Sequence, residues 1–177
     1  PKYSKQIADA LGKRLGPLKP LPGNDPDAVL SGFANPKMGE WIDAALEADF
    51  EGCGASDATA PYRDGSRLVK AEGGTYLRPT IAHCESIEHP LANREFLCPY
   101  ASVVEVPQAE MLSSIGPTLV VTAITQDESF KKDLLRASNV ERLNIGPLST
   151  MKISWDQPHE GNMFEFLYKR RSIGVAA

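Results

Sequence analysis

The sequence has few cysteines, few aromatic residues and no excess of positive charge. Its three cysteines, Cys53, Cys84 and Cys98, are too few and too widely spaced for a disulfide framework, so we expect a reducing, cytoplasmic location. A net charge of -4 argues against nucleic acid as a partner, because phosphate binding needs a basic surface. No apolar run approaches the roughly 20 residues that cross a bilayer, so we expect no membrane partner either.

The remaining composition is that of a globular protein. The chain has 177 residues, of which 42% are hydrophobic and 24% are charged, and this predicts one domain over residues 1–177. Because the chain begins with Pro1 rather than Met, we expect it to be a piece of something longer.

Helices and loops are predicted to dominate the first third of the chain. Tyr3, Ile7, Leu11 and Leu15 recur every four residues and predict the inner face of a first helix. Asn35-Pro36 is a helix-start signal, and it predicts a second helix over residues 36–49. The apolar positions of this second helix are Met38, Trp41, Ile42, Ala45 and Leu46.

Loop and strand signals follow. By composition, residues 51–66 are predicted to be a loop. A short strand is predicted over residues 67–71. Gly73-Gly74 is predicted to form a turn, and residues 76–84 are predicted to be extended.

The second half alternates between strand and helix patterns. Strands are predicted over residues 102–106, 118–125 and 140–145, with a helix over 108–115 between the first two. Thr125 and Glu128 have the spacing of a capping box, which predicts a further helix. Alternation of this kind is typical of parallel pairing, so the predicted fold class is α/β, a mostly parallel sheet with flanking helices.

A last helix is predicted near the C-terminus. Asn162 and Glu165 form a cap signal before the segment 163–171. Its aromatic residues predict either an exposed apolar surface or an ordinary face that packs in the core.

The sequence offers few candidate catalytic or metal-binding residues. His83, His89 and His159 do not combine with the cysteines at metal-ligand spacing, so no metal site is predicted. Cys98 is either a nucleophile near Arg94 or a small buried apolar residue. Glu95 is either a solvated or Arg-paired carboxylate, or an acceptor for two hydroxyl groups such as a ribose offers.

Several segments occur in a suggestive order. They are GG-T-YLRPT (73–80), REFLCPYASVVEV (94–106), TLVVTAITQD (118–127) and VERLNIG (140–146). This order resembles the C-terminal part of the catalytic domain of the aldehyde dehydrogenase superfamily. The N-terminal segment resembles the helix, linker and second helix that follow the nucleophile in that family.

The resemblance implies roles for particular residues. Glu95 matches the glutamate that hydrogen-bonds the nicotinamide ribose of NAD or NADP. Leu97 stands where the family has a Phe beside the nicotinamide, and Arg94 and Cys98 replace a Glu and a Gly. Asn144 matches a structural Asn near the end of a late strand. The cluster at 94–98 is expected at the carboxyl-side mouth of the domain, facing the cofactor.

The resemblance also implies that essential parts of the enzyme lie outside this chain. None of the three cysteines aligns with the family's nucleophile, and no catalytic residue is assigned in this chain. The dinucleotide-binding domain is not matched either. We therefore expect an aldehyde dehydrogenase part that is inactive alone, with an aldehyde substrate and NAD or NADP bound in the intact parent, and we expect a homo-oligomer. The alternative is a stand-alone binding or assembly module derived from the same family.

Overall fold

The computed structural model describes residues 3–71, 73–154 and 172–176. The chain divides into two compact units, Pro1–Val106 and Pro107–Ala177. The expectation of one domain over residues 1–177 stays a prediction.

The first unit combines two helices with five short strands. The helices are α1 (Ser4–Leu15) and α2 (Pro36–Phe50). The strands are β1 (Ala55–Asp57), β2 (Leu68–Ala71), β3 (Gly74–Leu77), β4 (Thr80–Cys84) and β5 (Tyr100–Val104). Short 3₁₀ turns lie at Ala60–Tyr62 and Pro90–Ala92.

Two sheets organise this unit. One has the strand order β1-β4-β5, with β4 and β5 parallel and β1 antiparallel to β4. The other is an antiparallel hairpin of β2 and β3, in which Ala71 pairs with Gly74. The predicted Gly73-Gly74 turn is confirmed, and the φ of 98° at Gly73 is a conformation that favours glycine. The predicted loop over residues 51–66 is wrong at β1, which forms because β4 supplies its partner.

The predicted inner face of α1 is wrong by one residue. Tyr3 and Ile7 are exposed, whereas Ala8 and Gly12 are buried. A Cβ atom on Gly12 would lie 2.8 Å from the carbonyl carbon of Ala58, so the helix approaches neighbouring backbone more closely than a larger side chain would allow.

Helix α2 follows the prediction closely. The Asn35 side chain accepts a hydrogen bond from Lys37 N at 3.1 Å, which confirms the predicted start. Ile42 and Leu46 enter the core of the unit, while Trp41 is 61% exposed. The remaining buried members of this core are Leu77, Ala82, Cys84 and Leu91.

Within residues 107–154 and 172–176, the second unit shows a parallel sheet and two helices. Its elements are α3 (Gln108–Ile115), β6 (Thr118–Ala123), α4 (Glu128–Arg136), β7 (Val140–Ile145) and β8 (Ser172–Val175). The strand order is β6-β7-β8, and both pairs are parallel. Among the described residues of this unit, the buried core includes Ala123, Leu134, Val140, Leu143 and Ile145.

The start of α4 differs from the predicted capping box. Asp127 is the cap, and its Oδ1 accepts hydrogen bonds from Ser129 N and Phe130 N. Thr125 Oγ1 instead accepts from Asp127 N at 3.1 Å. Asp127 rather than Thr125 caps the helix, because Asp is at least as good a cap as Thr and directly precedes the first helical residue.

The predicted α/β class is confirmed. The predicted helix over 163–171, with its cap signal at Asn162 and Glu165, lies outside the described residues. Among the residues that are described, no helix combines the length and the apolar character needed to traverse a bilayer.

Candidate functional site

The segment 93–99 joins the turn at Pro90–Ala92 to strand β5. Pro99 O accepts a hydrogen bond from Thr80 N at 2.9 Å, which ties the end of the segment to the first residue of β4. Because β4 and β5 are parallel, the segment lies at their amino ends. The expected position at a carboxyl-side mouth is therefore wrong for this sheet.

Arg94 is held by α2 rather than projecting freely. Its Nη1 lies 2.8 Å from Asp49 Oδ2, and its guanidinium lies 5.8 Å from the centre of the Phe96 ring. The Asp49 contact is close enough for an ion pair but not aligned for a hydrogen bond, since that buried oxygen has no hydrogen-bond partner. The charge of Arg94 is thus paired with Asp49 rather than with Glu95.

Aromatic packing fixes the middle of the segment. The Phe96 ring meets Trp41 edge-on at 6.4 Å and Tyr100 edge-on at 5.2 Å between ring centres. The Tyr100 hydroxyl donates a hydrogen bond to Leu91 O, and burial raises the pKa of that hydroxyl. Edge-to-face pairs add stability beyond the area they bury, so Phe96 anchors the segment to α2 and β5.

The two residues predicted to bind the cofactor point outward. Leu97 is 87% exposed, which is unusual for a leucine beside a packed aromatic cluster. Glu95 is exposed, and no other residue in the ranges 3–71, 73–154 and 172–176 forms an ion pair or hydrogen bond with its side chain. Their assignment as cofactor-binding residues stays a prediction.

Cys98 turns inward and packs against the core of the first unit. Burial raises the pKa of its thiol to about 11, although the positive charge of Arg67 acts in the opposite direction. A thiol with that pKa is almost entirely protonated at neutral pH and is a poor nucleophile. The structure therefore favours the buried apolar reading of Cys98.

The segment presents a free carboxylate close in sequence to an exposed apolar side chain. The Glu95 carboxylate has two oxygens free to accept from neighbouring hydroxyl groups. Leu97 presents an apolar surface two residues away, and Arg94 is already paired with Asp49. These residues could hold the riboside half of NAD or NADP. No group of three or more His, Cys, Asp or Glu side chains able to hold a metal ion occurs in the described part of the chain.

Sequence reasoning missed a buried ionic network next to this segment. Asp57 Oδ2 accepts from Arg63 Nη2 at 2.7 Å and from Arg67 Nη2 at 3.1 Å. Its Oδ1 accepts from Thr59 N at 2.9 Å and from the Thr59 hydroxyl. Burial alone would raise the pKa of Asp57, but the hydrogen bonds from Thr59 and Arg63 outweigh it and the pKa is lowered.

Arg67 links this network to α2. It is 5% exposed, and its Nη1 donates to Asp43 Oδ1 at 2.9 Å and Glu47 Oε1 at 2.8 Å. The guanidinium lies 5.6 Å from the centre of the Phe50 ring. Burial would lower the pKa of Arg67, yet the surrounding carboxylates, above all Asp57, raise it. The network therefore ties α2 to β1, and the charge of Arg67 acts on Cys98 of the candidate segment.

Asn144 has the structural role that was expected. It is buried on β7, and its Nδ2 donates to Thr122 Oγ1 on β6 at 3.1 Å. The bond crosses between two paired strands of the second unit, so it serves sheet pairing.

The fold is that of part of the aldehyde dehydrogenases. Lactaldehyde dehydrogenase from Escherichia coli matches with a TM-score of 0.69 and 17% identity, over 89% of this chain and 32% of that one. Betaine aldehyde dehydrogenase from Staphylococcus aureus, solved with NAD+, matches with a TM-score of 0.68 and 15% identity, over 90% and 32%. Succinic semialdehyde dehydrogenase from Streptococcus pyogenes, solved with NADP+, matches with a TM-score of 0.61 and 17% identity, over 84% and 32%.

The chain spans about a third of the length of these enzymes. No protein-family model matches it, and no curated protein matches it by sequence. The resemblance read from the ordered motifs is therefore confirmed at the level of the fold.

Proposed function

We propose that this chain forms the C-terminal part of the catalytic domain of an NAD(P)-dependent aldehyde dehydrogenase, which oxidises an aldehyde to a carboxylic acid. The observation that carries the proposal is the conjunction of an aldehyde dehydrogenase fold with an unpaired, outward-facing Glu95. Position 95 is also where the ordered motifs place the ribose-binding glutamate.

The role of the candidate site is to hold the nicotinamide riboside. Glu95 accepts hydrogen bonds from the two ribose hydroxyl groups, and Leu97 covers an apolar part of the nicotinamide. When bound, NAD or NADP accepts the hydride of the aldehyde. Solved neighbours carry NAD+ in one case and NADP+ in another, so both cofactors are candidates.

The isolated chain is expected to lack this activity. Aldehyde oxidation by this route needs a reactive thiolate, and the buried Cys98 thiol, with its pKa raised to about 11, does not supply one. It also needs a dinucleotide-binding domain, which the matched motifs do not include. Both would be supplied in an intact parent.

Assembly and location form part of the same proposal. Trp41 is 61% exposed, and an exposed apolar group of this size favours association. We propose a homo-oligomer on that basis. The three free cysteines are consistent with a cytoplasmic location, and an aldehyde is the proposed substrate in the parent.

The alternative proposal is a non-catalytic binding or assembly module. The same exposed residues, Trp41 and Leu97, favour it, because a partner protein could cover them as well as a cofactor could. The two proposals differ in whether a nicotinamide cofactor contacts Glu95.

Calorimetric titration with NAD+ and NADP+ separates the parts of the main proposal. Two hydrogen bonds to a carboxylate contribute about 1.5–3 kcal/mol each, and association costs at least about 4 kcal/mol. The full 177-residue chain should therefore bind with a dissociation constant above about 1 mM. It should form no NAD(P)H from an aldehyde. Tight binding, or turnover, would contradict the claim that further parts are needed.

A further inference from the structure

Helices α3 and α4 of the second unit border an open groove made of two adjacent depressions. Leu112 and Asp133 line both depressions, whereas Arg136 lines only the larger one, of ≈ 530 Å³, and Phe130 only the smaller one, of ≈ 360 Å³. These volumes lie in the range of small-molecule sites, in which an apolar surface is combined with a few polar groups. We propose that this groove binds a free α-amino acid that has an apolar side chain.

The order of three α4 side chains sets the orientation of the ligand. Phe130, Asp133 and Arg136 recur every three residues, so they follow one side of the helix at intervals of about 4.5 Å along its axis. An α-amino acid presents an apolar side chain, an ammonium group and a carboxylate group around one carbon atom. The ammonium group therefore binds Asp133, the carboxylate group binds Arg136, and the side chain lies toward Leu112 and Phe130.

Both charged side chains are available to a ligand. Asp133 and Arg136 are exposed, and within residues 3–71, 73–154 and 172–176 neither side chain forms an ion pair or a hydrogen bond. Asp127 also lines the groove, but its Oδ1 caps α4 and its Oδ2 accepts a hydrogen bond from Gln108 Nε2 at 2.8 Å. Asp133 is therefore the carboxylate of the groove that can accept hydrogen bonds from an ammonium group.

The walls of the groove are held in place by the protein itself. Asn139 Nδ2 donates to Leu112 O at 3.0 Å and to Gly116 O at 2.7 Å, which fixes the last turn of α3. Leu112 and Phe130 pack against the core of the second unit. The groove therefore exists before a ligand binds. Because ion pairs with exposed side chains are weak, we expect a dissociation constant in the millimolar range.

Three matched ligands test the proposal on the full 177-residue chain. L-leucine carries all three groups, 4-methylpentanoate lacks the ammonium group, and 3-methylbutylamine lacks the carboxylate group. Each is titrated into ¹⁵N-labelled protein while amide chemical shifts are recorded. We expect leucine to shift amides near Leu112, Asp133 and Arg136, and we expect each truncated ligand to bind about fivefold more weakly because it loses one ion pair.

Four variants make the result specific. Asp133→Asn and Arg136→Gln should each weaken leucine binding about fivefold. Glu110→Gln and Lys132→Gln remove exposed charges of the same two helices that do not line the groove, so these controls should bind leucine like the wild type. All four positions are exposed, and the circular dichroism spectrum should stay unchanged.

Three results would overturn the proposal. They are leucine-induced shifts centred outside α3 and α4, no shifts up to the solubility limit of leucine, and equal affinity of the wild type for leucine and 4-methylpentanoate. The titrations contain no nicotinamide cofactor, so their failure would leave the proposed role of Glu95 standing.

Discussion

Arg94 Nη1 lies 2.8 Å from Asp49 Oδ2, so the residue before Glu95 is tied to the last turn of α2. This ion pair and the edge-to-face contacts of Phe96 help to hold an otherwise irregular segment, together with the hydrogen bond from Thr80 N to Pro99 O. The outward direction of Glu95 and Leu97 follows from where their neighbours are anchored.

Removing the Asp49 charge should loosen the segment 93–99. Partly exposed ion pairs contribute up to about 1 kcal/mol, so Asp49→Asn should increase amide hydrogen exchange at Asn93 and Tyr100 by about fivefold. Glu51→Gln, an exposed change at the end of the same helix, is the matched control. Equal exchange in both variants would show that the ion pair contributes nothing to holding the segment.

Removing the Asp57 carboxylate should cost far more stability. Asp57→Asn leaves Arg63 and Arg67, both with largely buried side chains, without their shared partner. Breaking a buried pair from one side costs about 3–5 kcal/mol in the free energy of unfolding. Urea denaturation measures this loss, and the exposed Glu88→Gln should change the midpoint little.

The same carboxylate predicts sensitivity to acid. The pKa of Asp57 is lowered in the folded protein from its ordinary value of 3.8. Its stabilising effect is therefore complete above that value and is lost as pH falls through the lower folded pKa. Denaturation curves of the wild type should lose stability below about pH 4 more steeply than those of Asp57→Asn. Parallel curves would show that other groups control acid unfolding.

A methyl group at Gly12 should destabilise the first unit. The added Cβ would meet the carbonyl group of Ala58, which is backbone and cannot rotate away. Gly12→Ala should lower the free energy of unfolding by about 1–3 kcal/mol, although alanine favours helix formation. Gly23→Ala meets no atom within 4 Å and is the matched control. A thermal melt that ranks the two variants equally would contradict the close packing of α1.

The cysteines should differ sharply in reactivity. Cys53 is exposed, whereas burial raises the pKa of Cys98 to about 11, so at pH 8 about one Cys98 thiol in a thousand is ionised. Iodoacetamide at pH 8 should modify Cys53 first. Modification of Cys98 at a comparable rate in folded protein would reopen its reading as a nucleophile.

Local signals predicted much of the fold. The helix at Gln108–Ile115 and the strand at Val140–Ile145 have the predicted bounds, and α2 begins at the predicted Pro36. The error in α1 has a physical cause. Apolar spacing predicts large residues on the inner face, but Gly12 permits a close approach that buries Ala8 and leaves Ile7 exposed.

The candidate site was less predictable. The Arg67 network joins residues 10 to 24 positions apart, and no local pattern indicates which distant carboxylates will meet a buried arginine. The edge at which Glu95 lies depends on the parallel pairing of β4 with β5, which is also a long-range property. The order of the motifs was enough to indicate the fold. The position of Glu95 and the partners of Arg67 depend on contacts between residues far apart in sequence.

Nuclear magnetic resonance of the ¹⁵N-labelled chain during titration with NAD+ examines whether Glu95 and Leu97 face the cofactor. We expect weak chemical-shift changes confined to the amides of residues 94–98, with the same pattern for NADP+. These changes should be strongly reduced in Glu95→Gln and kept in Glu88→Gln. Changes centred elsewhere on the chain, or none at any cofactor concentration reached, would contradict a cofactor-facing role for Glu95 and Leu97.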